Sequence, residues 1–182
     1  MPAVIISGAP GSGKTTLARR LGDAVGLPVL SKDLFKEALF DALGVGDLDW
    51  SRRLGQASYA ILFAAAASVM RAGTSVIVES NFHRGLSEKA LAALVEAQPA
   101  CIVHCECATD VAVRRYAERA LSPERHPGHL DARMVPVIRA QLEAGTLEPC
   151  ELGLPLLRVD TSDGYRPGFE HIVAFTRQAT AA

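Results

Sequence analysis

Short apolar runs alternate with longer amphipathic or alanine-rich stretches along the chain. Continuous apolar runs predict strands buried on both faces of a sheet, whereas apolar residues three and four positions apart predict helices. The predicted strands cover 4–6, 28–30, 75–79, 100–107 and 156–159. The predicted helices cover 14–21, 33–43, 51–71, 86–95, 109–120, 134–143 and 168–179. This alternation is typical of an α/β domain with a parallel sheet between two helical layers.

Three local details follow from the same pattern. Leu34, Ala38 and Leu39 share one face of the second helix, and we expect that face to be buried. Gly73 follows the third helix, where a left-handed cap is expected. Thr109 is a candidate N-cap, and two prolines and a glycine within 122–130 predict a loop.

The turn after the first strand contains a complete phosphate-binding motif. It reads Gly8-Ala9-Pro10-Gly11-Ser12-Gly13-Lys14-Thr15-Thr16 and matches G-x-x-x-x-G-K-[ST] between a strand and a helix. Glycines allow backbone N–H groups to approach phosphate oxygens, and the following helix directs its positive end at the anion. Lys14 is expected to reach the β- and γ-phosphates and the Thr15 hydroxyl to bind Mg²⁺. The motif therefore predicts ATP and Mg²⁺ as cofactors.

Composition narrows the class of P-loop protein. The 182 residues suit one domain over 1–182, and 49% apolar residues suffice for a core. With 19 basic and 20 acidic residues, the chain has no general attraction for nucleic acid or anionic membranes. The sequence has no N-K-x-D motif of GTPases and no apolar strand ending in Asp-Glu, as in mechanical ATPases. A small kinase fits best.

These segments resemble a known group of kinases. The run 4–16, Ser31-Lys32-Asp33 after the second strand, and 76–81 are similar to polynucleotide 5′-kinases, chloramphenicol phosphotransferase and zeta-toxin-like kinases. The resemblance implies a P-loop NTPase fold with five parallel strands in the order 2-3-1-4-5. It also implies transfer of the ATP γ-phosphate to a hydroxyl group. In similar kinases the loop corresponding to 161–164 passes beside adenine.

The resemblance gives Asp33 the place of the residue that accepts the proton of the attacking hydroxyl. Phosphoryl transfer depends mostly on positioning, so Asp33 is also a candidate for orienting the hydroxyl and for reaching Mg²⁺ through water. An N-cap role is the structural alternative. Glu79 ends the third strand, where ligands bind in such sheets, and is a candidate for a metal-bound water or a substrate hydroxyl, with Asn81 nearby. A loop entry without any role explains Glu79 equally well.

Arginines are concentrated in residues 114–133. This segment resembles the lid of nucleotide and small-molecule kinases, in which arginines close over the phosphates. Arg119 and Arg125 are the candidates for phosphate contacts, and Arg115 is the candidate for stacking on adenine. A solvated basic helix face is the alternative. His126 and His129 are expected to make contacts within the lid rather than bind metal.

Three kinds of acceptor remain open. A small metabolite or antibiotic is favoured, a nucleic-acid 5′ end ranks second because only 5% of residues are aromatic, and a mononucleotide ranks third. A switch that binds and slowly hydrolyses ATP without transfer is the rival from another class. Cys101, Cys105 and Cys107 lie in an apolar run and predict core packing rather than zinc binding. With no apolar run of membrane-spanning length, we expect a cytoplasmic protein.

Overall fold

The described residues contain one five-stranded sheet in which every pairing is parallel. The computed structural model describes residues 2–96 and 98–180, and the outer ends of the predicted domain, 1 and 181–182, lie outside the described residues. The strands are β1 (Ala3–Gly8), β2 (Val29–Ser31), β3 (Val76–Glu79), β4 (Ala100–Glu106) and β5 (Leu156–Asp160). The helices are α1 (Lys14–Val25), α2 (Lys32–Leu43), α3 (Leu48–Arg71), α4 (Glu88–Leu94), α5 (Thr109–Ala120), α6 (Asp131–Glu143) and α7 (Phe169–Thr180), with a 3₁₀ turn at Pro127–His129.

The strand order is β2-β3-β1-β4-β5, which confirms the predicted P-loop NTPase topology. Ile6 of β1 lies opposite Glu79 of β3, and Glu79 lies opposite Ser31 of β2. The carboxyl ends of these three strands therefore meet at one edge of the sheet, where ligands bind in doubly wound folds.

Helices cover both faces of the sheet, as the alternating pattern predicts. Val4 and Ile6 pack with the apolar sides of α1 and α7, whereas Ala3 and Ile5 pack with α3 and α4. All six residues of β1 are buried, because successive side chains of a central strand enter opposite layers. This burial holds the start of the phosphate-binding loop in a fixed place.

Several predicted helix ends are shifted. Helix α1 continues through Gly22 to Val25 and ends at Gly26, which has a φ of 70°. A Cβ on Gly22 would lie 2.5 Å from Val29 Cγ2, so glycine permits close packing of α1 on β2. Thr109 is the first residue of α5 rather than its N-cap, because Ala108 precedes the helix and makes no side-chain cap. The left-handed glycine expected at Gly73 is confirmed by its φ of 84°.

The buried face predicted for α2 is wrong. Leu34 is 51% exposed and Ala38 is also exposed, whereas Lys36 and Phe40 are the buried residues of this helix. Phe40 is covered by the connection between α5 and α6, where His126 stacks on its ring at a centroid distance of 5.0 Å. The α2 face is therefore defined by a segment that is distant in sequence.

The predicted core position of the strand cysteines is confirmed. Cys101 and Cys105 are buried in one cluster with Val103. Cys107 lies beyond the end of β4, is half-buried, and its Sγ is 3.9 Å from the carbonyl oxygen of Gly11. Among the described residues, no helix combines the length and apolarity needed to span a membrane.

Candidate functional site

The phosphate-binding loop joins β1 directly to α1. Gly11 and Gly13 have φ values of 83° and 74°, which glycine adopts without strain. A Cβ on Gly11 would lie 2.2 Å from the carbonyl oxygen of Ala112, and one on Gly8 would lie 2.4 Å from that of Cys105. Glycines at these two positions therefore allow the loop to pack against α5 and β4.

The loop has the free donors that a phosphate group needs. No side chain caps the N-terminus of α1, so its first N–H groups have no side-chain acceptor. The Lys14 side chain contacts only the carbonyl oxygen of Ala9 within the described hydrogen bonds, at a long 3.4 Å. Ser12 Oγ is buried without a hydrogen-bond partner among the described residues. This arrangement fits an anion in the loop.

Two cavities lie side by side at this edge of the sheet. The larger has a volume of about 390 Å³ and follows the phosphate-binding loop, with Gly13, Thr15 and Thr16 in its wall. The smaller has a volume of about 210 Å³ and lies between α2, α3 and α6. Four residues line both cavities: Lys14, Asp33, Arg119 and Arg125. These are the four residues for which the sequence predicts a catalytic role, and they form the boundary between the two cavities.

Asp33 is the acidic member of this boundary. It lies in the first turn of α2, after the N-cap Ser31, so the alternative N-cap role for Asp33 is wrong. Its carboxylate pairs with Lys32 at 3.4 Å and with Arg125 at 3.2 Å. Burial would raise the pKa of Asp33, but the positive charges of Lys32, His129, Arg125 and Lys14 outweigh it and hold that pKa far below the usual range.

Arg125 binds three carboxylates at once. Its guanidinium lies 3.2 Å from Asp33, 3.1 Å from Glu37 and 2.7 Å from Asp131. Burial lowers the pKa of this side chain, but the hydrogen bond to Asp131 and the neighbouring carboxylates raise it overall. Arg119 pairs with Asp131 at 3.5 Å, and its Nε is buried without a partner among the described residues. The contacts of both arginines with phosphate remain predictions.

Arg115 lies at the other end of the larger cavity. Its guanidinium donates to the carbonyl oxygens of Thr161 and Ser162 at 3.0 Å and 3.1 Å. The Thr161 hydroxyl donates to the carbonyl oxygen of Ser12 at 2.8 Å, so the loop after β5 is fastened to the phosphate-binding loop. Arg115 is thus placed along the cavity wall beside the loop expected near adenine, and stacking on adenine remains a prediction.

Glu79 is buried at the end of β3. Its Oε2 accepts a hydrogen bond of 2.6 Å from the Ser31 hydroxyl, and both residues face one another in the sheet. Glu79 and Asn81 line the smaller cavity, while Thr15 lines the larger. Asn81 also contacts Tyr59 and His83 at 3.4 Å and 3.3 Å.

The comparisons with known proteins agree on the family. The family model described as an AAA domain matches residues 4–144, which include the phosphate-binding loop and the cavity walls up to α6. The chain belongs to this AAA domain family. A comparison with curated proteins gives no match.

Solved structures similar to this AAA domain protein include several described as kinases. A protein from Chloroflexus aurantiacus j-10-fl, provisionally designated a kinase, is 37% identical over 98% of this chain and 97% of that chain, with a TM-score of 0.88. A sugar kinase from Janibacter sp. HTCC2649 is 21% identical over 96% and 91%, with a TM-score of 0.60. Chaetomium thermophilum Kti12, solved with ADP-AlF3, is 23% identical over 100% of both chains, with a TM-score of 0.67. The last two show the fold.

The oxygen donors of the AAA domain fit Mg²⁺ in the company of a nucleotide. Among residues 2–96 and 98–180, no group of three or more His, Cys, Asp or Glu forms a metal site on its own. Mg²⁺ typically takes one or two protein oxygens and completes its shell with phosphates and water. Thr15, with Asp33 and Glu79 beyond it, offers such oxygens without a full protein cage.

Sequence reasoning missed four polar residues of the site: Lys36, Glu37, Tyr116 and Asp131. Lys36 and Glu37 lie on the same side of α2 as Lys32 and Asp33, four positions along the helix. That spacing was the available signal. Asp131 accepts a hydrogen bond of 2.9 Å from Tyr116, and this pairing carries no signal in the sequence.

Proposed function

We propose that this protein is a kinase that transfers the γ-phosphate of ATP to a hydroxyl of a small molecule held in the smaller cavity. The observation that carries this proposal is the boundary of Lys14, Asp33, Arg119 and Arg125 shared by two adjacent cavities. A transfer enzyme needs a donor site and an acceptor site that share the groups acting on the reacting atoms. Hydrolysis alone needs only the first.

The donor nucleotide lies in the larger cavity. The amides of the phosphate-binding loop and the Lys14 ammonium bind the β- and γ-phosphates, and Arg115 and the loop after β5 flank the adenine end. Mg²⁺, when bound through the Thr15 hydroxyl, supplies positive charge to the transferring phosphate oxygens. Asp33 and Glu79 are placed to hold its water ligands.

Asp33 acts on the acceptor mainly by orientation. Because its pKa is held well below the usual range, its carboxylate is ionised and accepts a hydrogen bond from the acceptor hydroxyl. So weak a base gains little by removing a proton early, and the loose transition state of phosphoryl transfer does not require it. Asp33 therefore holds the hydroxyl oxygen in line with the γ-phosphate.

Arg119 and Arg125 supply positive charge on the opposite side of the boundary. In phosphoryl transfer, arginine forks stabilise the charge that spreads over the equatorial oxygens. Arg125 is held by three carboxylates, so its guanidinium has a fixed position beside Asp33. Arg119 has a buried Nε without a partner among the described residues, and it is the freer donor.

The acceptor is small. A cavity of about 210 Å³ has room for roughly seven water molecules at about 30 Å³ each. The Chloroflexus aurantiacus relative supports a phosphotransferase, and a gluconokinase from Sinorhizobium meliloti 1021 shares the fold at 17% identity and a TM-score of 0.59. A nucleic-acid end ranks lower, because the residues lining the smaller cavity include only one aromatic ring that is not histidine, Tyr116.

The test is the release of ADP from Mg-ATP with and without acceptors. The panel holds sugars, sugar acids, hydroxylated antibiotics, nucleosides, mononucleotides and 5′-hydroxyl oligonucleotides. We expect one class of small acceptor to raise the rate at least about tenfold above the water background, since a positioned hydroxyl outcompetes free water. An equal rate with every acceptor, at saturating ATP, would contradict the proposal and favour an ATPase switch.

A further inference from the structure

The smaller cavity contains a buried lysine that the transfer reaction itself does not use. Lys36 lies in the middle of α2, is only 8% exposed, and lines this cavity. Its Nζ lies 2.9 Å from Ser51 Oγ of α3. Among the described residues, no carboxylate forms an ion pair with Lys36. Asp33 and Asp131 act on it only from a distance.

A second ammonium group points to the same place. A Cβ on Gly55 of α3 would lie 3.8 Å from the Nζ of Lys36 and 4.0 Å from the Nζ of Lys32. The two lysines are one helical turn apart on α2 and converge on the same short stretch of α3. Lys32 also lines the smaller cavity, and so does Arg52 at its more exposed side.

Like charges that converge in a buried place are unfavourable unless an anion lies between them. Burial, followed by the neighbouring Lys32, lowers the pKa of Lys36 to about 8. The positive charge of Lys36 is therefore maintained at a cost in the protein alone. A negatively charged group in the cavity would remove that cost and gain a charge-assisted hydrogen bond.

A purely structural role is the alternative explanation. The Ser51 hydroxyl that contacts Lys36 donates to the carbonyl oxygen of Gly128 at 2.9 Å, so Lys36 takes part in fastening the α5–α6 connection. A neutral hydrogen-bonding side chain would serve that purpose without a buried charge. The charge itself, directed into a cavity with a second ammonium beside it, is better explained by a ligand.

We infer that the acceptor carries an anionic group, a carboxylate or a phosphate, that binds between Lys32 and Lys36 while its hydroxyl lies against Asp33. This inference rests on the proposed function and names the chemical class of its acceptor: small hydroxylated anions. The cavity spans both groups, because Asp33, Lys32 and Lys36 all line it. Neutral sugars of the same size lack the group that the two lysines bind.

Matched acceptor pairs test the class. Each pair has one skeleton with and without the anion: D-gluconate against D-glucose, and D-glucose 6-phosphate against D-glucose, with related aldonates and sugar phosphates added. The carboxylate and phosphate arms separate the two sources of charge. We expect anionic members of one arm to show a kcat/KM at least about tenfold above their neutral partners. Equal transfer to neutral partners would overturn the inference and leave the kinase intact.

The variant Lys36→Met tests the residue. It keeps the length of the side chain and removes the charge, so folding is expected to be preserved or improved. We expect KM for the anionic acceptor to rise at least about tenfold, with kcat and the KM for ATP changed less than about threefold. Lys89→Met, on the exposed side of α4, is the matched control and should change nothing. Equal loss of activity towards neutral and anionic acceptors would indicate a structural role and contradict the inference.

The pH profile gives an independent readout. The groups facing Lys36 are Lys32 and Asp33 on α2, Ser51 on α3, Arg125 on the connection and Asp131 on α6. With a carboxylate acceptor, kcat/KM should fall as the pH rises through about 8 and Lys36 loses its proton, and Lys36→Met should remove this step. A step unchanged in the variant would overturn the assignment to Lys36. Transfer to no acceptor in the panel, with ATP bound, would overturn the proposed function as well.

Discussion

The guanidinium of Arg125 lies 3.2 Å from the carboxylate of Asp33, although 92 positions separate the two residues in the chain. This ion pair joins α2 to the α5–α6 connection at the boundary between the two cavities. The group proposed to orient the acceptor and a group proposed to neutralise phosphate charge therefore have a common position. Changing either residue alters the surroundings of the other.

Asp33→Asn should abolish most turnover while leaving nucleotide binding nearly intact. The amide keeps the size of the side chain but no longer offers a charged acceptor to the hydroxyl. We expect kcat to fall by about 10²- to 10³-fold and the Kd for ATP to change less than about threefold. Steady-state kinetics and calorimetry measure the two quantities. Asp23→Asn, on the exposed side of α1, is the control, and full activity of Asp33→Asn would contradict the assigned role.

Arg125→Met should destabilise the fold far more than removal of a surface arginine. The Arg125 side chain is 12% exposed, and its loss leaves Asp33, Glu37 and Asp131 without their common partner. We expect a loss of about 3 kcal/mol in the free energy of unfolding. Urea denaturation measures this loss. Arg114→Met breaks only an exposed pair with Glu118 and should cost less than about 0.5 kcal/mol, and equal losses for the two variants would refute the network.

Thr15→Val should raise the Mg²⁺ requirement. Valine keeps the branched shape of threonine at the start of α1 but removes the hydroxyl proposed as a metal ligand. The Mg²⁺ concentration giving half-maximal activity should rise at least about tenfold, whereas Thr15→Ser should stay within about threefold of the unaltered protein. Activity titrations with Mg²⁺ at fixed ATP measure both. The same requirement in Thr15→Val and Thr15→Ser would exclude Thr15 as a ligand.

Stability should fall as the pH is lowered from about 6.5 to about 4. Burial lowers the pKa of His104 to about 4, in the presence of Glu106, Arg158, Glu148 and Lys14. The unfolded chain then binds a proton in this range before the folded protein does, so acid favours unfolding by about 2 kcal/mol for this residue.

Urea denaturation across this pH range measures the effect. His104→Gln should reduce the slope, but not to zero, because burial also lowers the pKa of His129 to about 4. His171→Gln, in an exposed position on α7, is the control and should keep the full slope. A slope unchanged by His104→Gln would mean that His104 is not the titrating group.

The fold could be predicted from the sequence because its signals are local. The apolar run 4–6, the glycine-rich turn and the alternation of strands and helices are each contained within a few residues. They yield the parallel sheet and its helical layers, and the resemblance to known kinases supplied the strand order. Helix ends were less accurate, since the continuation of α1 through Gly22 depends on contact with Val29 of another element.

The site could be predicted only where a motif fixes it. Gly8 to Thr16 is set by local backbone chemistry, whereas the surroundings of Asp33 depend on Arg125 and His129, which arrive from a distant segment. The burial of Lys36 could not be predicted for the same reason. Helical periodicity favoured an apolar buried face on α2, but the cavity and the α5–α6 connection select Lys36 and Phe40 instead.

The most direct test of the central claim follows the γ-phosphate itself. The protein is incubated with ATP carrying ¹⁸O in the γ-phosphoryl oxygens and with the acceptor panel, and the products are analysed by mass spectrometry. The account predicts that the labelled phosphoryl group appears as a phosphate ester of a small hydroxylated acceptor, in an amount equal to the ADP formed. Recovery of the label solely in inorganic phosphate, with every acceptor present, would contradict it.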